Sequence, residues 1–132
     1  MDGTVNIVDE PILTLDEQLQ MAVGDVQNAA EEFRQAGQSL VSARNAHDCR
    51  EAQVFLTYKS SRREDGKPRT DAECEALTTF ELGPLHDQYE AAKINFAVAQ
   101  RILDARCSVL SALQTRAKMT TQTDAAIANS PY

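Results

Sequence analysis

The sequence has no tryptophan and only four phenylalanines and three tyrosines in 132 residues, so an apolar fraction of 42% rests on alanine and the aliphatics. Each such residue buries little area, which makes a lone two-helix hairpin of this composition marginal and self-association the expected remedy. Cysteine is scarce as well. Cys49, Cys74 and Cys107 are odd in number, far apart and without CxxC spacing, which suggests neither a disulfide framework nor a zinc site and reads as reduced core or flank residues in a cytoplasmic protein. No apolar run approaches the ~18 residues of a membrane span, and Met1-Asp2-Gly3 has neither the basic region nor the apolar core of a secretion signal. Cations are outnumbered: the net charge is -7, which argues against coating duplex DNA through the overall field but leaves room for a local basic site.

Catalytic chemistry is equally thin. Neither His47 nor His86 follows a glutamate by three residues, as the inward-facing pairs of diiron carboxylate bundles require. Gly66-Lys67 runs into Pro68 and is not a phosphate loop. No pair of carboxylates is set apart for acid and base work. The expectation is a protein that is not an enzyme and uses no cofactor and no metal.

What the sequence does contain is heptad order. Leu82, Tyr89, Phe96, Leu103 and Leu110 are seven apart, with Leu85, Ala92, Ala99, Arg106 and Leu113 three residues after each. This is the seam of a packed helix that needs a partner of similar length. The partner lies upstream, where Leu19, Val26, Phe33, Leu40, His47 and Val54 form one row and Leu15, Ala22, Ala29, Ala36 and Ala43 the other. Alanine on one row lets backbones approach closely, so tight antiparallel packing is predicted. His47, on the large-residue row, reads as a packed residue or a polar notch that sets register.

Boundaries follow from local chemistry. Thr14 with Glu17, and Thr70 with Glu73, have capping-box spacing and start helices. Ser60 to Arg69, with Gly66 and Pro68, is a turn. Gly83-Pro84 predicts a break between a short helix over about 71–82 and a long one over 84–119. The domain reading is an N-terminal arm at 1–13, a helical hairpin at 14–119 and a mobile tail at 120–132. Charge supports the pairing: residues 1–33 carry eight acids and no Lys or Arg, 34–69 eight bases against four acids, 70–90 six acids and no bases, and 91–119 five bases against Asp104. Folding the chain at the turn lays acidic stretches on basic ones.

Two surfaces are left over. Ala91, Ile94, Val98, Ile102, Ala105, Val109 and Ala112 form a second apolar stripe on the later helix, away from the seam. It predicts burial against sibling chains in a bundle or ring, with Ile94, Val98, Ile102 and Val109 at the oligomer interface; the other candidate cover is the N-terminal arm. At the turn, Tyr58, Lys59, Arg62, Arg63, Lys67 and Arg69 combine cations with an aromatic. That combination suits single-stranded nucleic acid, with phosphates on the cations and a base on Tyr58. The alternative is a solvated loop whose cations offset Glu64 and Asp65.

An acidic start, a long helix ending in an aromatic, a basic glycine-containing turn, a capped acidic helix and a long helix with Ile102-Leu103-Asp104, Cys107-Ser108 and Leu110 to Arg116 follow in that order. Over roughly residues 14–118 this resembles the small helical recombination mediators of tailed phages, the UvsY type, and other phage hairpin proteins. The resemblance implies a ring-like oligomer in the bacterial host cytoplasm that binds single-stranded DNA, through Lys59, Arg62 and Arg63, and helps load a recombinase in place of a single-strand binding protein. The rival expectation is a structural or scaffolding coiled coil, or an acidic inhibitor of another protein, with no nucleic-acid activity.

Overall fold

The computed structural model describes residues 12–129; the expected arm at 1–13 falls almost wholly outside them. Three helices follow in order, α1 (Leu15–Ser60), α2 (Asp71–Glu81) and α3 (Gly83–Ala128), with no strand among the described residues. The fold is all-α, with long α1 packed against long α3 as a helical hairpin and short α2 after the turn. By spatial contact the chain falls into two units, Glu31–Arg101 and the remainder at either end, Met1–Ala30 with Ile102–Tyr132.

Within Glu31–Arg101 the antiparallel sense is read from ring contacts. Phe33 stacks on Phe96 with centroids 4.8 Å apart, while His47 lies against His86 and Tyr89 at 5.9 and 5.6 Å. Rising numbers on α1 therefore meet falling numbers on α3. Gly37 lets the Phe96 ring approach: a Cβ added there would sit 3.4 Å from the ring edge. Along the seam here Val54, Leu82, Ala92 and Ala99 are buried and Leu40, His47, Leu85 and Tyr89 half-buried, while Arg50, seven residues after Ala43 on the small-residue row, is exposed.

In the other unit the seam comprises buried Ala22 and Ala29 with half-buried Leu19, Val26, Leu103, Leu110 and Leu113. Arg106, on the small-residue row, is exposed. Its long stem allows the guanidinium to reach water where leucine at that position would be covered.

Both capping threonines act as expected. The Thr14 hydroxyl accepts the Glu17 N–H at 3.2 Å, and the Thr70 hydroxyl accepts the Glu73 N–H at 3.2 Å, each satisfying a donor that the first helical turn leaves free. Between α2 and α3 only Leu82 departs from helix. Its N–H still donates to Thr78 O at 3.0 Å and its carbonyl accepts from His86 at 2.8 Å. Pro84 therefore sits in the first turn of α3, where its missing N–H costs no bond.

The helix runs further than 119. α3 continues to Ala128, because Met119–Ala128 contains no glycine or proline and Thr120, Thr121 and Thr123 each turn the hydroxyl back onto the carbonyl four residues earlier at 3.0 Å. That local bonding uses up the competing donors that would otherwise favour a turn.

Gly24 sits inside α1 with nothing within 4 Å of where a Cβ would stand. Gly24→Ala is expected to stabilise the chain by about 0.5–1 kcal/mol, the usual helix-interior gain for this change. A rise of a few degrees in the thermal midpoint followed by circular dichroism checks it; a fall would mean that the α1 backbone approaches another surface at that point.

Candidate functional site

The basic turn is built by closing α1 back onto α2. α1 ends at Ser60, and the chain reverses through a short antiparallel bridge between Arg62 and Pro68. Arg63 N–H donates to Lys67 O, and Gly66 N–H to Arg63 O, each at 2.9 Å. Gly66 takes φ +79°, the left-handed region that a β-carbon penalises, so this tight reversal needs glycine there. The Asp65 carboxylate accepts the Lys67 N–H at 3.1 Å, an Asx-type bond that locks the same loop.

The closure commits most of the cations. Lys59 Nζ lies 2.5 Å from Asp71 Oδ1, and this hydrogen bond raises the lysine above its ordinary pKa. Arg63 spans the loop, with Nη2 3.1 Å from Asp65 and Nη1 3.4 Å from Glu73. Arg69 turns back onto the end of α1. It donates to the Tyr58 carbonyl at 3.4 Å and to the Ser61 hydroxyl, and its guanidinium carbon stands 5.4 Å from the Tyr58 ring centroid. A cation at a helix C-terminus meets the unpaired carbonyls there, and an arginine over an aromatic face adds a cation–π contact. One face of Tyr58, the ring proposed from sequence to stack on a base, therefore carries Arg69.

Arg62 donates to Gly66 O at 3.0 Å. Neither Arg62 nor Lys67 makes an ion pair among the described residues, and both are exposed. From Lys59 to Glu73 the chain has five cations against four carboxylates, so the field of the turn is close to balanced. All six residues singled out from sequence are brought together here, three of the cations as structural partners and two as cations open to solvent.

Among the described residues, blocks of opposite charge do not translate into ion pairs along the hairpin. The pairs joining different elements are Lys59–Asp71 and Arg63–Glu73, at the turn; the others outside the loop are local, such as Glu31–Arg34 and Glu90–Lys93. The glutamates of both local pairs are held below their ordinary pKa by a hydrogen bond from the basic partner. The reason is geometric: alanine and large apolar residues occupy the seam, which turns charged side chains outward.

The second surface is apolar. On α3, Ile94 is 63% exposed, Val98 48%, Ile102 39% and Val109 52%, and Ala91, Ala105 and Ala112 are exposed beside them. Neither α1 nor α2 covers this stripe. A third feature was not legible from heptads: an open groove of 660 Å³ between α1 and α2, lined by Asp48, Glu51, Phe55, Leu56, Glu75 and Thr79 among others. Leu56, on its lining, is 62% exposed. Large apolar residues off the seam were the signal.

Cys74 is buried, while Cys49 and Cys107 are exposed free thiols. No cluster of His, Cys, Asp and Glu among the described residues is arranged to hold a metal ion, and no described helix is long and apolar enough to cross a membrane. No family model, curated protein or solved structure matches the chain.

Proposed function

We propose that this protein is a non-enzymatic helical assembly module that associates with further copies of itself through the outer face of α3. The observation that carries the reading is the exposure of four large aliphatic side chains, Ile94, Val98, Ile102 and Val109, at helical spacing on the side of α3 that its partner helix leaves open. A helix with two apolar faces and one partner has an unmet burial requirement. Covering a large aliphatic side chain is worth roughly 1.5–3 kcal/mol when burial is complete. The thin alanine seam points the same way, because it leaves the hairpin little stabilisation of its own.

A second reading joins to this one. In it the assembly is a phage recombination or replication accessory protein of the bacterial cytoplasm, as similarity to the UvsY type implies, with single-stranded DNA held at the turn and a recombinase or single-strand binding protein as its partner. It is favoured by Arg62 and Lys67, exposed and free of ion pairs among the described residues. Two such cations per chain form a weak site, and several chains side by side raise the effective concentration of sites along one strand.

Light scattering with and without a single-stranded oligonucleotide, at low and moderate salt, tests both. A mass above that of one chain supports the assembly module, and a monomer at all accessible concentrations overturns it. Oligonucleotide-dependent mass that falls away with salt, and is lost in Arg62→Ala with Lys67→Ala, supports the recombination reading. An intact assembly indifferent to oligonucleotide at low salt removes it and leaves a scaffolding protein.

A further inference from the structure

The groove between α1 and α2 lies wholly within Glu31–Arg101, apart from the surface used for self-association. Its α1 wall is one helix face: Asp48 and Glu51, then Ala52 and Phe55, with Leu56 beside them. At ~1.5 Å per residue this wall is about 12 Å long, roughly two turns. Opposite it α2 runs antiparallel, with Asp71 meeting Lys59 at the turn and Thr79 lying beside His47 and Glu51 further along. Glu75, one turn before Thr79, therefore stands level with Phe55, and carboxylates flank the apolar pair from both ends.

The lining offers acceptors and has no side-chain donor to spare. Among the described residues, Asp48 and Glu51 approach only the His47 ring, at 3.1 and 3.9 Å, and Glu75 pairs with no cation. The Thr78 and Thr79 hydroxyls donate to the Cys74 and Glu75 carbonyls at 2.6 and 2.9 Å. No lysine or arginine lines the groove, while Phe55 is half-buried and Leu56 exposed. Side chains that are apolar along the stem and cationic at the tip match such a surface: the stem covers Phe55 and Leu56 and the head bonds a carboxylate.

We infer that this groove docks a basic amphipathic helix of another protein, with aliphatic side chains on Phe55 and Leu56 and lysines or arginines on Asp48, Glu51 and Glu75. The chain's own cations do not supply that pattern. Arg62 and Lys67 belong to a turn, residues 61–68, that has no large aliphatic residue and brings Glu64 and Asp65 with them. On α3, Val109 is the one large aliphatic residue left exposed between Arg106 and Arg116.

Fluorescence anisotropy of the full chain with a labelled synthetic helix of leucine and lysine tests this, at moderate salt so that long-range attraction to the acidic protein is screened. Affinity is expected to fall at least about tenfold in the triple variant Asp48→Asn, Glu51→Gln, Glu75→Gln, and about fivefold in Leu56→Ser. All four side chains are exposed, so helical content by circular dichroism should not change. A control with the same change of charge elsewhere, Asp25→Asn, Glu32→Gln, Asp104→Asn, should stay within about twofold of the parent. A helix of leucine and glutamate should not bind, and a lysine and serine peptide of equal charge should bind at least about tenfold more weakly. Equal losses in the two triple variants overturn the proposal by showing only attraction between opposite net charges. Equal binding of the lysine and serine peptide overturns it by showing a site for cations alone.

Two further readouts locate the peptide. Backbone amide resonances of the isotope-labelled protein are expected to shift at residues 48–56 and 75–79. Shifts centred on 94–109 instead, or loss of binding in Ile94→Ser with Val98→Ser, put the peptide on α3 and overturn the docking site. Light scattering of the groove triple variant without peptide is expected to give the parent's mass; a lower mass assigns the groove to a second copy of the chain and overturns the proposal.

Discussion

Phe96→Ala is expected to lower the thermal midpoint of the isolated chain by about 10 °C, from a loss of about 3 kcal/mol. Phe96 stacks on Phe33 at 4.8 Å and fills the space that Gly37 leaves on α1. Deleting the ring removes its transfer energy, the aromatic pair and the covering of a glycine, and the alanine-rich rows around it have no larger side chain able to move in. The ring is half-buried, which holds the estimate below the upper end for Phe→Ala in a closed core. Phe33→Ala should cost a similar amount. The double variant should lose less than the two together, by roughly 1 kcal/mol, since the stacking contact can be removed only once. Thermal melts of the three proteins at a concentration low enough to suppress assembly check this; strict additivity would mean that the rings do not support one another.

The second large effect is expected at the junction of α2 and α3. Leu82→Ala should destabilise by about 3 kcal/mol, within the range for truncating a buried leucine. Leu82 is 3% exposed, as is Val54, with Cys74 at 0% and Thr78 at 4%, so the junction is the most completely covered part of Glu31–Arg101. The backbone bonds of Leu82 to Thr78 and His86 remain available to alanine, and the loss is one of packing. Its signature should be local: α2 amides are expected to exchange faster while those of α1 between Glu31 and Leu40 change little. Uniform acceleration throughout the chain would show that α2 and the hairpin open as one unit.

Much of this architecture was present in the spacing of residues. The seam positions from Leu15 to Val54 are buried or half-buried as their rows predict, except Arg50, which continues the small-residue row and is exposed, and the two threonine caps and the Gly66 reversal lie where the local chemistry puts them. These features are short-range, each decided within one or two turns of backbone. The end of α3 was not legible in the same way. A run of threonines reads as helix-breaking by propensity, but Thr120, Thr121 and Thr123 bond to carbonyls of the preceding turn and the helix continues to Ala128.

At the turn, the six residues were identifiable as a cluster while their commitments were not. That Lys59 reaches Asp71, that Arg63 reaches Glu73 and that Arg69 caps the carbonyl of Tyr58 depends on the path the loop takes between two helices. The consequence for function is direct: of five cations suited to phosphate, two, Arg62 and Lys67, make no ion pair among the described residues and cap no helix end. The same holds for the blocks of charge, which suggested interhelical pairing but face away from a seam too narrow to include them.

Composition and period alone therefore determined that the chain is helical, which faces seal the hairpin and where it reverses, because hydrophobic repeats and caps act over distances shorter than a helical turn or two. The tertiary structure decided which charges are spent within the molecule and which apolar residues stay wet on α3. Those outcomes depend on what lies opposite each side chain in space, and proximity across a hairpin is a property of the folded path rather than of neighbours in sequence.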